Sequence, residues 1–378
     1  MILIGDVRDK LKELQDQSVH CVVTSPPYFG LRDYGKDGQI GMEETPDKYV
    51  EQMVTVFREV WRVLRDDGTL WLNLGDSYAS FRDGKATPDT SRGDSTGTLV
   101  PKGKAFNRMA TTFAGTSIKH KDLIGIPWRV AFALQAEGWY LRQDIIWHKP
   151  NPMPESVTDR CTKSHEYMFL LSKSRQYYFD HEAIKEQAVS DNKPRKFGAS
   201  NQVGTLRKDI GRVFEDDGLR NKRDVWSVPV RPFKGAHFAT FPPALIEPCI
   251  LAGTSAHGVC EKCLTPYERI MVKGDIPERK TRDKMLGAYP DRKTTTRLNS
   301  VDMVSIRKTQ GGWKQNCDCI TTNAIPATVL DPFFGAGTTG LVSQQHGRNW
   351  IGCELNPVYA EIASKRIEDA TPQSKLFT

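Results

Sequence analysis

Short apolar runs alternate with amphipathic stretches along most of the chain, a pattern that predicts an α/β protein. Runs at Val19 to Val23, Thr69 to Leu74 and Ala327 to Leu330 read as buried strands. Between Pro46 and Leu64, apolar side chains recur at Val50, Met53, Val54, Phe57, Val60, Trp61 and Leu64, the spacing of one helical face, with Asp66-Asp67-Gly68 as its expected stop. Helices are also expected over Ile126 to Ala136, Ala244 to Leu251 and 338 to 347. Further strands are expected over Tyr140 to Trp147, Glu166 to Leu171, Tyr177 to Phe179 and Asn349 to Glu354, while residues 2 to 24 carry strand, helix and strand.

Two strand ends carry candidate chemistry. The run from Ala327 leads into Asp331-Pro332-Phe333-Phe334-Gly335-Ala336-Gly337-Thr338-Thr339, a glycine turn that opens a helix. Neither glycine has a Cβ to keep a ligand from the backbone. The next strand ends in Glu354, an acid placed to accept both hydroxyls of a ribose, about 20 residues after the glycine segment begins. The run from Val19 leads into Thr24-Ser25-Pro26-Pro27-Tyr28. Ser25 Oγ and the Pro26 carbonyl offer two acceptors for an amino group, Pro26 and Pro27 stiffen the backbone, and Tyr28 offers an aromatic face. Alone, this tetrad reads more simply as a proline-rich turn after a buried strand; beside the glycine segment it does not. Both segments lie at carboxyl ends of strands, where open α/β sheets place their ligands.

Together DPFFGAGTT and TSPPY resemble the S-adenosylmethionine-dependent DNA amino-methyltransferases in their permuted, beta-class arrangement. The resemblance covers roughly 1 to 253 and 325 to 370, in the order catalytic half, recognition region, cofactor half. It implies a permuted Rossmann-like core with a mostly parallel sheet, with Asp331, Phe333, Gly335 and Gly337 at the methionine part of the cofactor, Glu354 at the ribose and Thr338 also among the cofactor-binding residues. It also raises Gly5-Asp6, otherwise a strand-end turn, to an adenine-contacting segment. The implied reaction is methyl transfer to an exocyclic amine of a flipped base, with Ser25, Pro26, Pro27 and Tyr28 as the catalytic loop. Ser25 favours cytosine N4, because this family more often has Asp or Asn there in adenine-N6 enzymes; adenine N6 is the runner-up, and a catalytically inactive DNA-binding protein is the alternative from another class. The blocks Asp144 to Pro150 and Ser164 to Tyr167 are similar to later family motifs, although His148 and His165 read more simply as structural. No Pro-Cys motif of carbon-5 cytosine enzymes is present, and Cys21, Cys161, Cys249 and Cys353 read as core.

The expected organisation is 1–181 for the catalytic half with a mobile loop at 79–120, and 182–225 for target recognition. Residues 226–253 form a cofactor-side core segment, 254–324 a basic insert and 325–370 the cofactor half. Charge changes the picture in three places. The net charge is +7 overall, but 79–121 has 8 Lys and Arg against 3 acids, 191–231 has 10 against 6, and 273–314 has 11 against 5. The basic excess lies in the loops and the presumed core is acidic, the distribution a phosphate-tracking enzyme needs. In the insert, Cys260-Glu261-Lys262-Cys263 and Cys317-Asp318-Cys319 have the grammar of a four-thiolate zinc ribbon, with free thiols as the alternative. One residue rather than two separates the second pair, and His257 is a poorly spaced substitute ligand. No apolar run approaches the length of a membrane span and no signal peptide is recognised, so a cytoplasmic protein is expected. The resemblance implies double-stranded DNA as partner, allows a restriction endonuclease beside it, and leaves monomer and homodimer open.

Overall fold

The computed structural model describes residues 1–30, 38–79, 116–188, 195–196, 213–214, 219–230, 241–273 and 308–370. Most of the expected mobile loop (80–115), much of the recognition region and residues 231–240 lie outside the described residues. Two compact units are present. One comprises 1–183, 223–267 and 315–378, the other 184–222 and 268–314.

The first unit is built on eight strands: β1 (Ile2–Ile4), β2 (Val19–Thr24), β3 (Leu64–Leu74), β4 (Tyr140–His148), β5 (His165–Ser172), β6 (Val225–Ser227), β7 (Thr328–Asp331) and β8 (Asn349–Glu354). Their order across the sheet is β1-β8-β7-β2-β3-β5-β4-β6. All neighbours are parallel except β5, which runs antiparallel to both β3 and β4. The first strand of the chain therefore pairs with the last, and β2 lies directly beside β7 (Val329 opposite Cys21, Leu330 opposite Val22). This register brings the glycine turn and the Ser-Pro-Pro-Tyr loop together at the carboxyl ends of two adjacent central strands.

The helices are α1 (Val7–Lys10), α2 (Pro46–Val63), α3 (Ile126–Ala136), α4 (Pro243–Gly253), α5 (Thr338–Gln345) and α6 (Pro357–Ala370). In α2, Thr45 caps the start by accepting from Lys48 N and Pro46 occupies the first turn. Its buried face of Tyr49, Met53, Val56, Phe57, Val60 and Val63 packs into a core with Leu70, Leu72, Leu74 and Phe169. Fully burying each such side chain stabilises the fold by roughly 1.5–3 kcal/mol before entropy is counted. No helix among the described residues is long and apolar enough to cross a membrane.

Three local expectations need correction. Asp66-Asp67-Gly68 does not separate helix from strand; β3 starts at Leu64, and its pairing with β2 shifts register between Val19 and Cys21. Gly68 is needed there because a Cβ would stand 2.5 Å from Leu64 Cδ1 and 3.0 Å from the His20 carbonyl oxygen. Residues 177–179 form no strand; Phe179 stacks on Trp71 with ring centroids 6.2 Å apart, so its aromatic packing needs no ladder. Cys161 is exposed, whereas Cys21, Cys249 and Cys353 are buried as expected.

The second unit's described residues form three antiparallel pairs: Glu186–Gln187 with Leu219–Arg220, Arg195–Lys196 with Val213–Phe214, and the longer Glu268–Lys273 with Lys308–Lys314. The unit boundaries group Cys260, Cys263, Cys317 and Cys319 with the sheet and leave the basic stretch between the pairs as part of the other unit.

Candidate functional site

At the end of β7 the chain turns through Gly335 (φ +51°) and Gly337 (φ +73°), both in the left-handed region, and α5 begins at once. Asp331 holds this turn. Thr24 Oγ1 donates to Asp331 Oδ1 at 2.6 Å, Thr339 Oγ1 to Oδ2 at 2.7 Å and the Phe333 amide to Oδ1 at 3.0 Å. The carboxylate is 1% exposed, and burial pushes its pKa up to about 6 against the pull of these donors. Thr24 immediately precedes Ser25, so one buried acid fastens the glycine turn to the serine loop.

Glu354, at the end of β8, closes the turn from the other side. Its Oε2 accepts from Gly335 N at 2.8 Å and its Oε1 from Asn356 N at 2.8 Å. Burial raises its pKa above the ordinary carboxylate value. Gly5 N donates to the Glu354 carbonyl at 2.9 Å, which places the Gly5-Asp6 corner beside this acid. Asp6 itself caps α1 by accepting from Arg8 N at 2.9 Å, and the Arg8 guanidinium that clasps its carboxylate lowers its pKa. Thr338, buried at the start of α5, accepts from Arg366 Nη1 at 2.9 Å, and the same nitrogen reaches the Ala336 carbonyl. Phe333 is half-buried against the main core.

Across the strand boundary, Pro26 is buried and Ser25 and Pro27 are half-buried. The Tyr49 hydroxyl on α2 donates to the Pro27 carbonyl at 2.9 Å. Tyr28 is anchored by its hydroxyl, 2.6 Å from Glu166 Oε2 and 3.3 Å from Asn73 Oδ1. Burial first, and the Glu166 charge second, hold the Tyr28 pKa well above 10, so the phenol stays neutral at physiological pH. Gly75 leaves room for the ring, since a Cβ there would lie 2.5 Å from Tyr28 Cε2. Glu166 in turn pairs with Lys149, whose ammonium sits 4.4 Å from the Trp147 ring centroid.

Glu166, Asn73, Lys149 and Tyr49 escape sequence reasoning as partners of this loop because they come from β5, β3, the end of β4 and α2. The available signal was a charged residue, Glu166, entering an otherwise apolar strand. His148 bonds to Ser227 Oγ at 3.0 Å, and His165 stands edge-on to Tyr167, consistent with structural roles.

The four cysteines of the two pairs converge, with all four sulfurs within 4.8 Å of one another. The thiols differ in acidity: Thr265 draws Cys263 down to about 6, and hydrogen bonding to Cys263 pushes Cys319 up to about 12. His257 lies outside the cluster, edge-on to Tyr267. Behind the first pair, Thr328 N donates to His20 Nδ1 at 3.0 Å, so Nε2 carries the proton and donates to the Leu264 carbonyl at 3.0 Å.

A mixed, mostly parallel sheet with a glycine turn and a Ser-Pro-Pro-Tyr loop on adjacent strand ends is a methyltransferase fold. PvuII DNA methyltransferase, a cytosine-N4-specific enzyme, shares it with a TM-score of 0.50 over 98% of this chain and 90% of that one, at 16% identity. The chain belongs to the DNA methylase family N6_N4_Mtase, which it matches over residues 19–260 and 320–365. Type II methyltransferase M.Cfr9I of Citrobacter freundii is 40% identical over 364 residues, which make up 96% of this chain and 86% of that protein. Type II methyltransferase M.SmaI of Serratia marcescens is 40% identical over 366 residues, 97% of this chain and 90% of that protein.

Proposed function

We propose that the chain is a permuted, beta-class DNA methyltransferase that uses S-adenosylmethionine to methylate the exocyclic N4 of a cytosine flipped out of double-stranded DNA. The observation that carries this reading is the Thr24–Asp331–Thr339 clasp, which fixes a cofactor-type turn to a loop of amine acceptors. The turn fits the cofactor. A Cβ at Gly335 would enter open space, with only the Phe333 carbonyl oxygen at 4.0 Å, so the backbone leaves a cradle there. Glu354 would hold the ribose and exchange its bond to Gly335 N for the ligand hydroxyls, with Gly5-Asp6 beside it at the adenine. Phe333, Gly335, Gly337 and Thr338 would form the wall at the methionine end, with Asp331 positioning that wall from behind.

When bound, S-adenosylmethionine supplies an electrophilic methyl group. The chain's own task is to make a weakly nucleophilic amine ready for it, because the lone pair is delocalised into the ring. Ser25 Oγ and the Pro26 carbonyl accept the two N–H bonds and favour a tetrahedral nitrogen, so catalysis is chiefly orientation and electrostatics. Tyr28, held rigid by Glu166 and Asn73, offers its ring to the flipped base. This support is worth roughly 1–3 kcal/mol when a base stacks on an aromatic. A serine at the head of the tetrad is the basis for choosing cytosine.

The test is product analysis after incubation with methyl-labelled S-adenosylmethionine and duplex DNA. Label is expected in N4-methylcytosine, and Ser25→Ala is expected to cut turnover by about 10²-fold or more with little change in cofactor affinity. Label in N6-methyladenine would replace the base but keep the amino-methyltransferase. Label in 5-methylcytosine, or none in DNA, would overturn the mechanism.

A further inference from the structure

We propose that Cys260, Cys263, Cys317 and Cys319 bind one structural zinc ion as four thiolates, and that this ion fixes the arm 315–326 onto the sheet-bearing unit.

Geometry comes first. Four sulfurs at about 2.3 Å from a tetrahedral zinc are about 3.8 Å apart. The four found here lie within 4.8 Å of one another, so small side-chain movements close the tetrahedron. The chain around each pair is held by its own hydrogen bonds. In the first, Leu264 N donates to the Cys260 carbonyl at 2.9 Å and Cys260 N to the Thr265 carbonyl at 2.9 Å. Leu264 adopts φ +60°, a left-handed conformation that a branched side chain resists, so the surroundings must impose this turn. In the second, Gln315 Nε2 donates to the Cys319 carbonyl at 2.8 Å and to Cys317 Sγ at 3.2 Å, as a side chain would support a thiolate ligand.

The second argument concerns what holds the arm in place. None of residues 315 to 326 is buried, and Ile320 is fully exposed. A hydrophobic core therefore does not fasten this segment. Its protein contacts are polar: Thr321 Oγ1 to Glu261 at 2.6 Å, Asn323 Nδ2 to Glu261 at 3.3 Å, Tyr267 Oη to the Thr322 carbonyl at 3.3 Å, and a two-residue pairing of Val259–Cys260 with Ala324–Ile325. Such exposed bonds are individually weak, whereas a metal joining both arms links them covalently in effect. In the sequence, segment 268–314 lies between the two cysteine pairs, so the ion would join two stretches of the sheet-bearing unit that are distant along the chain.

The donor set decides both metal and role. Four soft thiolates in a tetrahedron suit zinc, and with every position taken by protein no site remains for substrate, which makes the ion structural. Methyl transfer needs no part of it.

The full chain, purified without chelator, is expected to contain about one zinc per chain by elemental mass spectrometry. Exchange for cobalt(II) should give the intense visible absorption of a tetrahedral tetrathiolate. The pair Cys260→Ser, Cys317→Ser should lose the metal. A zinc-stripping chelator should speed tryptic cleavage after Lys262 and Lys314 by roughly tenfold or more, because the arm opens locally. Protein without zinc, protein with iron in its place, sulfurs paired as disulfides by intact mass, or a double variant that keeps its zinc would each overturn the proposal. Should the variant fail to fold, the zinc content and cobalt spectrum of the unaltered chain decide.

Discussion

Gly335 and Gly337 share a left-handed backbone but face different surroundings. A Cβ on Gly337 would lie 2.9 Å from Ala363 Cβ and 3.2 Å from Phe334 Cε1, whereas one on Gly335 meets open space. Gly335→Ala should therefore cost only the backbone strain, about 1–2 kcal/mol, and place its methyl group in the cofactor cradle. Gly337→Ala adds overpacking against α6 and should cost about 3 kcal/mol or more. Denaturant unfolding and cofactor calorimetry together distinguish them: Gly335→Ala should lose more affinity than stability, Gly337→Ala the reverse. Equal effects of both variants on both measurements would refute this division. The glycines and both acids stood out in the sequence, but the direction of their side chains did not. Asp331 was expected to line the methionine end; what the sequence could not give is that its carboxylate accepts from Thr24, Phe333 and Thr339. That arrangement depends on β2 and β7 being neighbours, a pairing across more than 300 residues that no local spacing encodes.

At the scale of elements, helices were legible nearly to the residue: in α2 the Thr45 cap and the apolar spacing agree, and in α3, which has no side-chain cap, the apolar spacing and the proline of its first turn were enough. Boundaries failed where tertiary contacts override local signals. Asp66-Asp67-Gly68 has the composition of a loop, but Gly68 lets β3 continue beneath Leu64. The Tyr28–Glu166–Asn73 anchor could not be assembled from the sequence, where Glu166 stood out only as a charge on an apolar strand, because each partner comes from a different element. Another such cross-element tie is His20 on β2, which joins the Leu264 turn to the start of β7. It is 3% exposed, and burial, the largest influence, lowers its pKa to about 4; the nearby Arg65 charge lowers it further, while Asp67 opposes this. The folded state thus binds fewer protons than the unfolded state between about pH 6.5 and 4. The stability that neutral His20 contributes is present above pH 6.5 and falls by roughly 3 kcal/mol as the pH drops to 4. Asp331, with its pKa raised to about 6, opposes that trend in an overlapping range, because the folded state there holds its proton more tightly. The check is therefore a difference: the stability advantage of the unaltered chain over His20→Gln should shrink steadily between pH 6.5 and 4. A constant advantage over that interval would mean that His20 does not titrate as its burial requires.

For the whole molecule, charge separates the two tasks that the chain has to perform. Residues 273–314 contain 11 Lys and Arg against 5 acids, while the net charge of the entire chain is only +7. A catalytic unit that must seat a cationic sulfonium gains nothing from positive charge at its cleft, whereas a surface that tracks phosphates requires it. Segregating the basic residues by sequence segment allows both requirements to be met. Under the proposed function, replacing Arg279, Lys280, Arg282, Lys284, Arg292, Lys293 and Arg297 with glutamine should weaken duplex binding. It should also flatten the dependence of log K on log salt by about 0.9 for each phosphate left without its cation, because fewer counterions are released. Affinity for S-adenosylmethionine and the identity of the methylated base should not change. Fluorescence anisotropy with a labelled duplex, measured at several salt concentrations, provides the slope. An unaltered slope with weakened binding would assign these residues to folding rather than to phosphate; an unaltered slope and affinity would move the DNA surface to the other basic segments, 79–121 and 191–231.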